Sequence, residues 1–89
     1  MEVRKENEMP IETNHLIKMY KYLTFVEVDN LKGTTRKFEC RNNNSQTVLG
    51  IVKWYAPWRQ YCYFDERAAV YSADCLDDIA VFLREVSRK

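Results

Sequence analysis

The sequence predicts an α+β fold, an antiparallel meander of about four strands covered on one face by a C-terminal helix. Three observations carry that expectation. Four stretches between Tyr20 and Phe64 alternate or are rich in β-branched and aromatic residues, as half-buried strands are. Short polar segments holding Gly33 and the run Asn42–Asn43–Asn44 separate them. From Ser72 onward the apolar residues change to helical spacing.

Tyr20–Val28 ("YKYLTFVEV") is the first predicted strand, and "DNLKGTT" the loop after it. "RKFECRN" alternates, with Phe38 and Cys40 on one face and Lys37, Glu39 and Arg41 on the other. "NNNSQ" is a turn, because Asn tolerates left-handed backbone and closes local hydrogen bonds. "TVLGIVKWY" is the third strand, and Gly50 inside it marks a bulge or a close backbone approach. "APW" turns the chain, "RQYCYF" is the fourth strand, and "DERAAVYS" connects it to the helix.

In that helix Ser72 or Asp74 caps the N-terminus by accepting orphan N–H groups. Asp74, Asp77 and Asp78 lie at the positive end of its dipole, and Arg84, Arg88 and Lys89 at the negative end. Leu76, Ile79, Ala80, Leu83 and Val86 form the apolar stripe. Residues 1–19 are assigned to a mobile or loosely docked N-terminal segment and 20–89 to a single small domain.

Composition bounds the function. At 89 residues, 46% hydrophobic and 30% charged, the chain is too apolar for disorder and long enough for one core. It contains no apolar run of the ~18 residues that a membrane span needs, and "MEVRKENEMP" lacks the apolar stretch of a signal peptide. A cytoplasmic location without membrane partners is expected. Cys40, Cys62 and Cys75 are odd in number and lack metal-ligand spacing, which predicts buried free thiols, no disulfide and no metal site. There is one histidine, His15, and no phosphate-binding loop, dinucleotide glycine pattern or nucleophile elbow. Asp77 and Asp78 are adjacent on a helix and point about 100° apart, so they do not form a carboxylate pair. The reading is a non-catalytic binding module with no cofactor.

The hairpin "KWYAPWRQYCYF" concentrates six of the twelve aromatics. It lacks the Gly or Asn that two-residue hairpin turns need, while Pro57 suits the second position of a type I turn in a longer loop. Pairing Ala56 with Gln60 places Trp54 across from Cys62 and Val52 across from Phe64, an apolar face for the helix. Lys53, Tyr55, Arg59, Tyr61 and Tyr63 then share the opposite face, with Trp58 at the turn. Tyr, Trp and Arg dominate protein-binding hot spots, so these six are the candidate partner-binding residues, for a host protein or a second copy, with the chain a monomer or homodimer. The same composition suits single-stranded nucleic acid, whose bases stack on aromatics while cations track phosphates. Between Lys32 and Arg59 six cations face one acid, and Arg36, Lys37 and Arg41 would extend such a surface. Cross-strand aromatic pairs also stabilise a sheet without any ligand.

The stretch from Thr47 to Leu83 further resembles a group of small bacterial and phage-associated proteins without assigned biochemistry. They carry a glycine-containing strand, a "WY-x-PWRQY-x-F" hairpin and a "CL-x-DI-x-x-F" helix. Leu49, Gly50, Trp54, Tyr55, Pro57, Trp58, Arg59, Gln60, Tyr61, Phe64, Cys75, Leu76, Asp78, Ile79 and Phe82 carry the pattern. The chain departs from it at Asp65, where many such sequences soon place a proline. The resemblance implies a prokaryotic or phage origin and no particular activity.

Overall fold

In a computed structural model, which describes residues 17–30 and 33–88, the described residues form five strands and one α-helix. The strands are β1 (Ile17–Met19), β2 (Leu23–Val28), β3 (Lys37–Asn42), β4 (Val48–Tyr55) and β5 (Gln60–Asp65), followed by α1 (Ala73–Ser87). They pair in sequence order, each antiparallel to the next, so the sheet is the expected meander. The additional strand arises because the chain turns back at Tyr20–Tyr22, where the Tyr20 N–H donates to Leu23 O at 2.7 Å. Asn43 clamps that turn, donating its side-chain amide to Tyr20 O and Lys21 O and accepting the Thr24 hydroxyl. Ile17–Met19, assigned from sequence to the N-terminal segment, is thus a sheet strand, and the rest of that segment lies outside the described residues.

Alternation along each strand sends one set of side chains toward α1. Leu23 and Phe25 on β2, Phe38 and Cys40 on β3, and Val52 on β4 are all buried beneath Ile79, Phe82 and Val86 of the helix. Phe82 is the keystone: its ring stacks on Phe25 at 4.1 Å between centroids and meets Phe38 edge-on at 5.0 Å. Burying an aromatic of this size contributes about 2–3 kcal/mol by area alone. The apolar stripe is rotated from the one the sequence suggests. Phe82 belongs at its centre, whereas Leu76 is 53% exposed, because α1 crosses the sheet with the 75, 79, 82, 86 row inward.

Ser72 caps α1, its Oγ accepting from Cys75 N at 3.2 Å, with Asp74 in the first turn. The three cysteines are free thiols, Cys40 buried and Cys62 and Cys75 half-buried. Among the described residues, no helix is long and apolar enough to cross a membrane.

Candidate functional site: the free edge of β5 and the helix beside it

The turn between β4 and β5 sets the geometry of the site. Ala56–Trp58 forms a single 3-10 turn with Pro57 at its start, and the Arg59 N–H donates to Ala56 O at 3.0 Å and Tyr55 O at 2.9 Å. Pro57 therefore occupies the second position of the turn, as its fixed φ favours. Closing back onto β4 requires left-handed backbone at Arg59, with φ 56°. The loop takes four residues, and Tyr55 rather than Ala56 pairs with Gln60.

That single residue overturns the predicted register. Trp54 lies opposite Tyr61 and Val52 opposite Tyr63, while Cys62 faces Lys53 and Phe64 faces Ile51. Because side chains alternate with period two, all of β5 is flipped relative to the expectation. Lys53 and Tyr55 do point away from the helix. Tyr61 and Tyr63 point toward it, Arg59 sits in the turn, and the shared Tyr55/Arg59/Tyr61/Tyr63 face does not form. Cys62 and Phe64, expected in the core, lie on the far face, where Lys53 Nζ is 4.9 Å from the centroid of the Phe64 ring.

Two features make the tyrosine-inward register favourable. Each hydroxyl finds a partner: Tyr61 Oη accepts from Arg36 N at 3.1 Å, and Tyr63 Oη pairs with Tyr71 Oη at 2.5 Å. Gly50 supplies the room for Tyr63, since a Cβ there would lie 2.5 Å from the ring's Cζ and Oη. The ladder shifts beside it: Cys40 pairs with Gly50 but Arg41 with Val48, leaving Leu49 as the bulged residue that packs against the core. The sequence points to a bulge or a close backbone approach at Gly50; the bulge falls at the adjacent Leu49, and Phe64 O and the Tyr63 ring close in on Gly50 itself.

Tyr71 Oη donates to Asp65 Oδ1 at 2.7 Å, so Tyr63, Tyr71 and Asp65 form a hydrogen-bonded chain that ends on a carboxylate. That bond holds the Asp65 carboxyl below its usual range, with backbone amides of residues 67–69 helping. Burial pushes the Tyr71 phenol up to about 12 and the Cys40 thiol up to about 11, and raises the Tyr63 phenol strongly. These groups are neutral packing elements at neutral pH.

The basic residues proposed for nucleic acid are mostly committed within the chain. Arg36 makes a two-point contact with Glu27, at 2.9 and 2.8 Å, and Arg41 bonds Glu39 at 2.6 Å. Lys37 stands opposite Lys53 on the far face.

What the fold assembles instead is a groove between β5 and α1. Among the described strands β5 pairs on one side only, so it is a sheet edge. Glu66 N donates to Leu49 O at 2.9 Å, one step beyond the Gly50–Asp65 pair. In an antiparallel ladder this parity gives Gln60, Cys62 and Phe64 the bonds to β4 and turns the N–H and C=O groups of Tyr61 and Tyr63 outward. The helix runs back alongside this edge, and about 760 Å³ of open groove lies between them. Trp58 and residues 60–63 form the strand wall, with Trp58 66% exposed. Ala80 and Leu83, then Arg84, Ser87 and Arg88, form the helix wall.

Arg59, Arg84 and Arg88 are exposed and make no ion pair among the described residues, whereas Glu85 on the same helix is turned toward Lys18 at 3.5 Å. The groove thus has an apolar floor and one strongly cationic end. Of the predicted partner-binding residues it gathers Trp58, Tyr61 and Tyr63, and leaves Lys53 and Tyr55 on the other side of the sheet. Sequence reading missed Cys62, Ala80, Leu83, Arg84 and Arg88. Their one available signal is small Ala80 on the flank of the helix stripe, followed one and two turns later by Arg84 and Arg88.

The chain is similar to an uncharacterised 9.3 kDa protein of Acholeplasma phage L2, with 29% identity over 70 residues, covering 79% of this chain and 90% of that protein. No family model matches the chain, and no solved structure matches it. The similarity associates this small α+β protein with a phage protein of unknown function.

Proposed function

We propose that the chain is a small non-catalytic interaction module that receives an extended segment of a partner protein as an added strand on β5. One observation carries this reading: the backbone of Tyr61 and Tyr63, unpaired among the described residues, opens into a groove walled by α1. An exposed sheet edge is a template for main-chain pairing, and proteins normally shield such edges with charge, proline or a covering element. Here β5 has no proline or lysine and its only charge is the terminal Asp65. Strand addition beside a helix gives affinity through main-chain bonds and specificity through alternate side chains in the groove. The commitment of Arg36 and Arg41 to carboxylates favours a protein partner over nucleic acid.

The test is selection of binders from a displayed library of random ten-residue peptides, followed by amide exchange of the isotope-labelled protein with a selected peptide. Slowed exchange at the Tyr61 and Tyr63 amides is expected. Binders that leave both amides exchanging at their free rate, or a selection without enrichment, would refute the reading.

A further inference from the structure

Resting on that reading, we infer that the occupant of the groove is an acidic segment with the pattern apolar–x–acid–x–acid, its apolar side chain toward Ala80 and Leu83 and its carboxylates toward Arg84 and Arg88. The spacing follows from two regular rises. Ala80 and Arg84 lie one turn apart on α1 and Arg88 is its C-cap, four residues further on, so each step is about 6 Å at ~1.5 Å per residue. On an added strand, side chains on one face recur every two residues, about 6.6 Å at ~3.3 Å each. Three successive groove-facing side chains therefore meet Ala80, Arg84 and Arg88 in turn.

The polarity of the wall fixes which of the three is apolar. Tyr71, just before α1, bonds Tyr63 and Asp65, and Ser87 at the helix's far end lines a second cavity with Trp54 and Tyr61. Helix and edge strand therefore run antiparallel, with Ala80 nearer the Asp65 end and Arg84 and Arg88 nearer the Trp58 end. A strand added antiparallel to β5 enters at the Asp65 end, presenting its apolar residue first and its carboxylates afterwards. Arg59, exposed in the turn, stands at the same end and adds to the field. Rim charges of one sign select partners of the other sign and penalise like charge.

A second copy of the chain fits less well. Its own β5 would bring Tyr61 and Tyr63 against the groove, and its one acid, Asp65, is held by Tyr71. The occupant is therefore a segment of a different protein.

The experiment repeats the peptide selection on the wild type and on the Arg84→Gln/Arg88→Gln double variant, both side chains being exposed so that the fold is kept. Wild-type pools should be enriched in acids two and four positions after an aliphatic or aromatic residue, and the variant's pools should lose the acids. Replacing both acids of a selected peptide by lysine should weaken it at least about ten-fold. Neutral or basic consensus peptides that still protect Tyr61 and Tyr63 would overturn the inference and leave strand addition standing. So would a peptide-free dimer, seen by sedimentation, with the same two amides protected. Selected peptides that do not protect these amides, or no enrichment at all, would overturn both.

Discussion

Gly50→Ala isolates the contact that holds β5 in its register. Gly50 is buried between Cys40 and Asp65, and its φ is not positive, so alanine incurs no conformational penalty there. The penalty is purely steric. The new Cβ would lie 2.5 Å from Cζ and Oη of Tyr63 and 2.6 Å from Phe64 O. Neither neighbour can yield easily, because Tyr63 is tied to Tyr71 and the Phe64 carbonyl sits within the β4–β5 ladder. Overpacking of this kind costs about 1–3 kcal/mol, while replacing a strand glycine returns roughly 0.5–1 kcal/mol of unfolded-state entropy. With backbone in the way the upper part of the range applies, and a net loss of about 2 kcal/mol is expected. A domain this size has a total stability on the order of 4–13 kcal/mol, so the loss is readily measured by urea denaturation followed by tryptophan fluorescence. Gly33→Ala is the control: its Cβ would come nearest the Asn30 side-chain amide, at 3.0 Å, and it should cost less than about 0.5 kcal/mol. In a Tyr63→Leu background the Gly50→Ala cost should fall by about 1 kcal/mol, the coupling of residues in contact. A cost below about 0.5 kcal/mol for Gly50→Ala, or no change in that background, would refute the placement of Tyr63 over Gly50 and with it the register.

Phe82→Ala, which removes a fully buried ring packed against Phe25 and Phe38, should lower stability by about 3–5 kcal/mol in the same assay. A loss below that range would mean that α1 is not seated here and that the groove lacks its helix wall. Ser72→Ala removes the cap on α1 and should cost about 1 kcal/mol, with helical circular dichroism melting earlier. Tyr20→Phe removes a buried hydroxyl that has no partner among the described residues, while the edge contact of its ring with Phe25 remains. It should stabilise by about 1 kcal/mol, and a loss of stability in urea would show that the hydroxyl is bonded. Alkaline pH should destabilise the protein. Burial raises Cys40 from 9.0 to about 11 and Tyr71 from 10.0 to about 12, so the unfolded chain ionises first. The stabilisation is complete below the unfolded values and is lost as pH rises through the folded ones. Denaturation midpoints should be flat from pH 7 to about 8.5 and fall between about 9 and 12; a midpoint unchanged at about pH 11 would contradict this burial.

Much of the fold was written in local pattern. The alternation of Phe38 and Cys40 against Lys37, Glu39 and Arg41 sorts β3 correctly, since only strand periodicity is needed to read it. Gly50 announced its bulge, Pro57 its turn and Ser72 its cap, each because a local backbone requirement selects that residue. The split at Tyr20–Tyr22 was not legible, because "YKYLTFVEV" alternates without a break. What folds the turn is Asn43, some 20 residues away in sequence.

The candidate site divides the same way. Local pattern placed the aromatic mass in the β4–β5 hairpin, put a helix after it and supplied the residue types available for binding. Which of them share a surface was set by long-range packing. A four-residue loop instead of three reverses every side chain of β5, and hydropathy is a poor guide to that choice. Tyr61 and Tyr63 are amphipathic enough for either face until Arg36 and Tyr71 supply partners for their hydroxyls. The groove itself is non-local. It exists because β5 ends the sheet and α1 returns beside it, which brings Arg84 and Arg88 to the edge occupied by Tyr61 and Tyr63. A pattern confined to neighbouring residues cannot encode a contact between one element's edge and another element's flank.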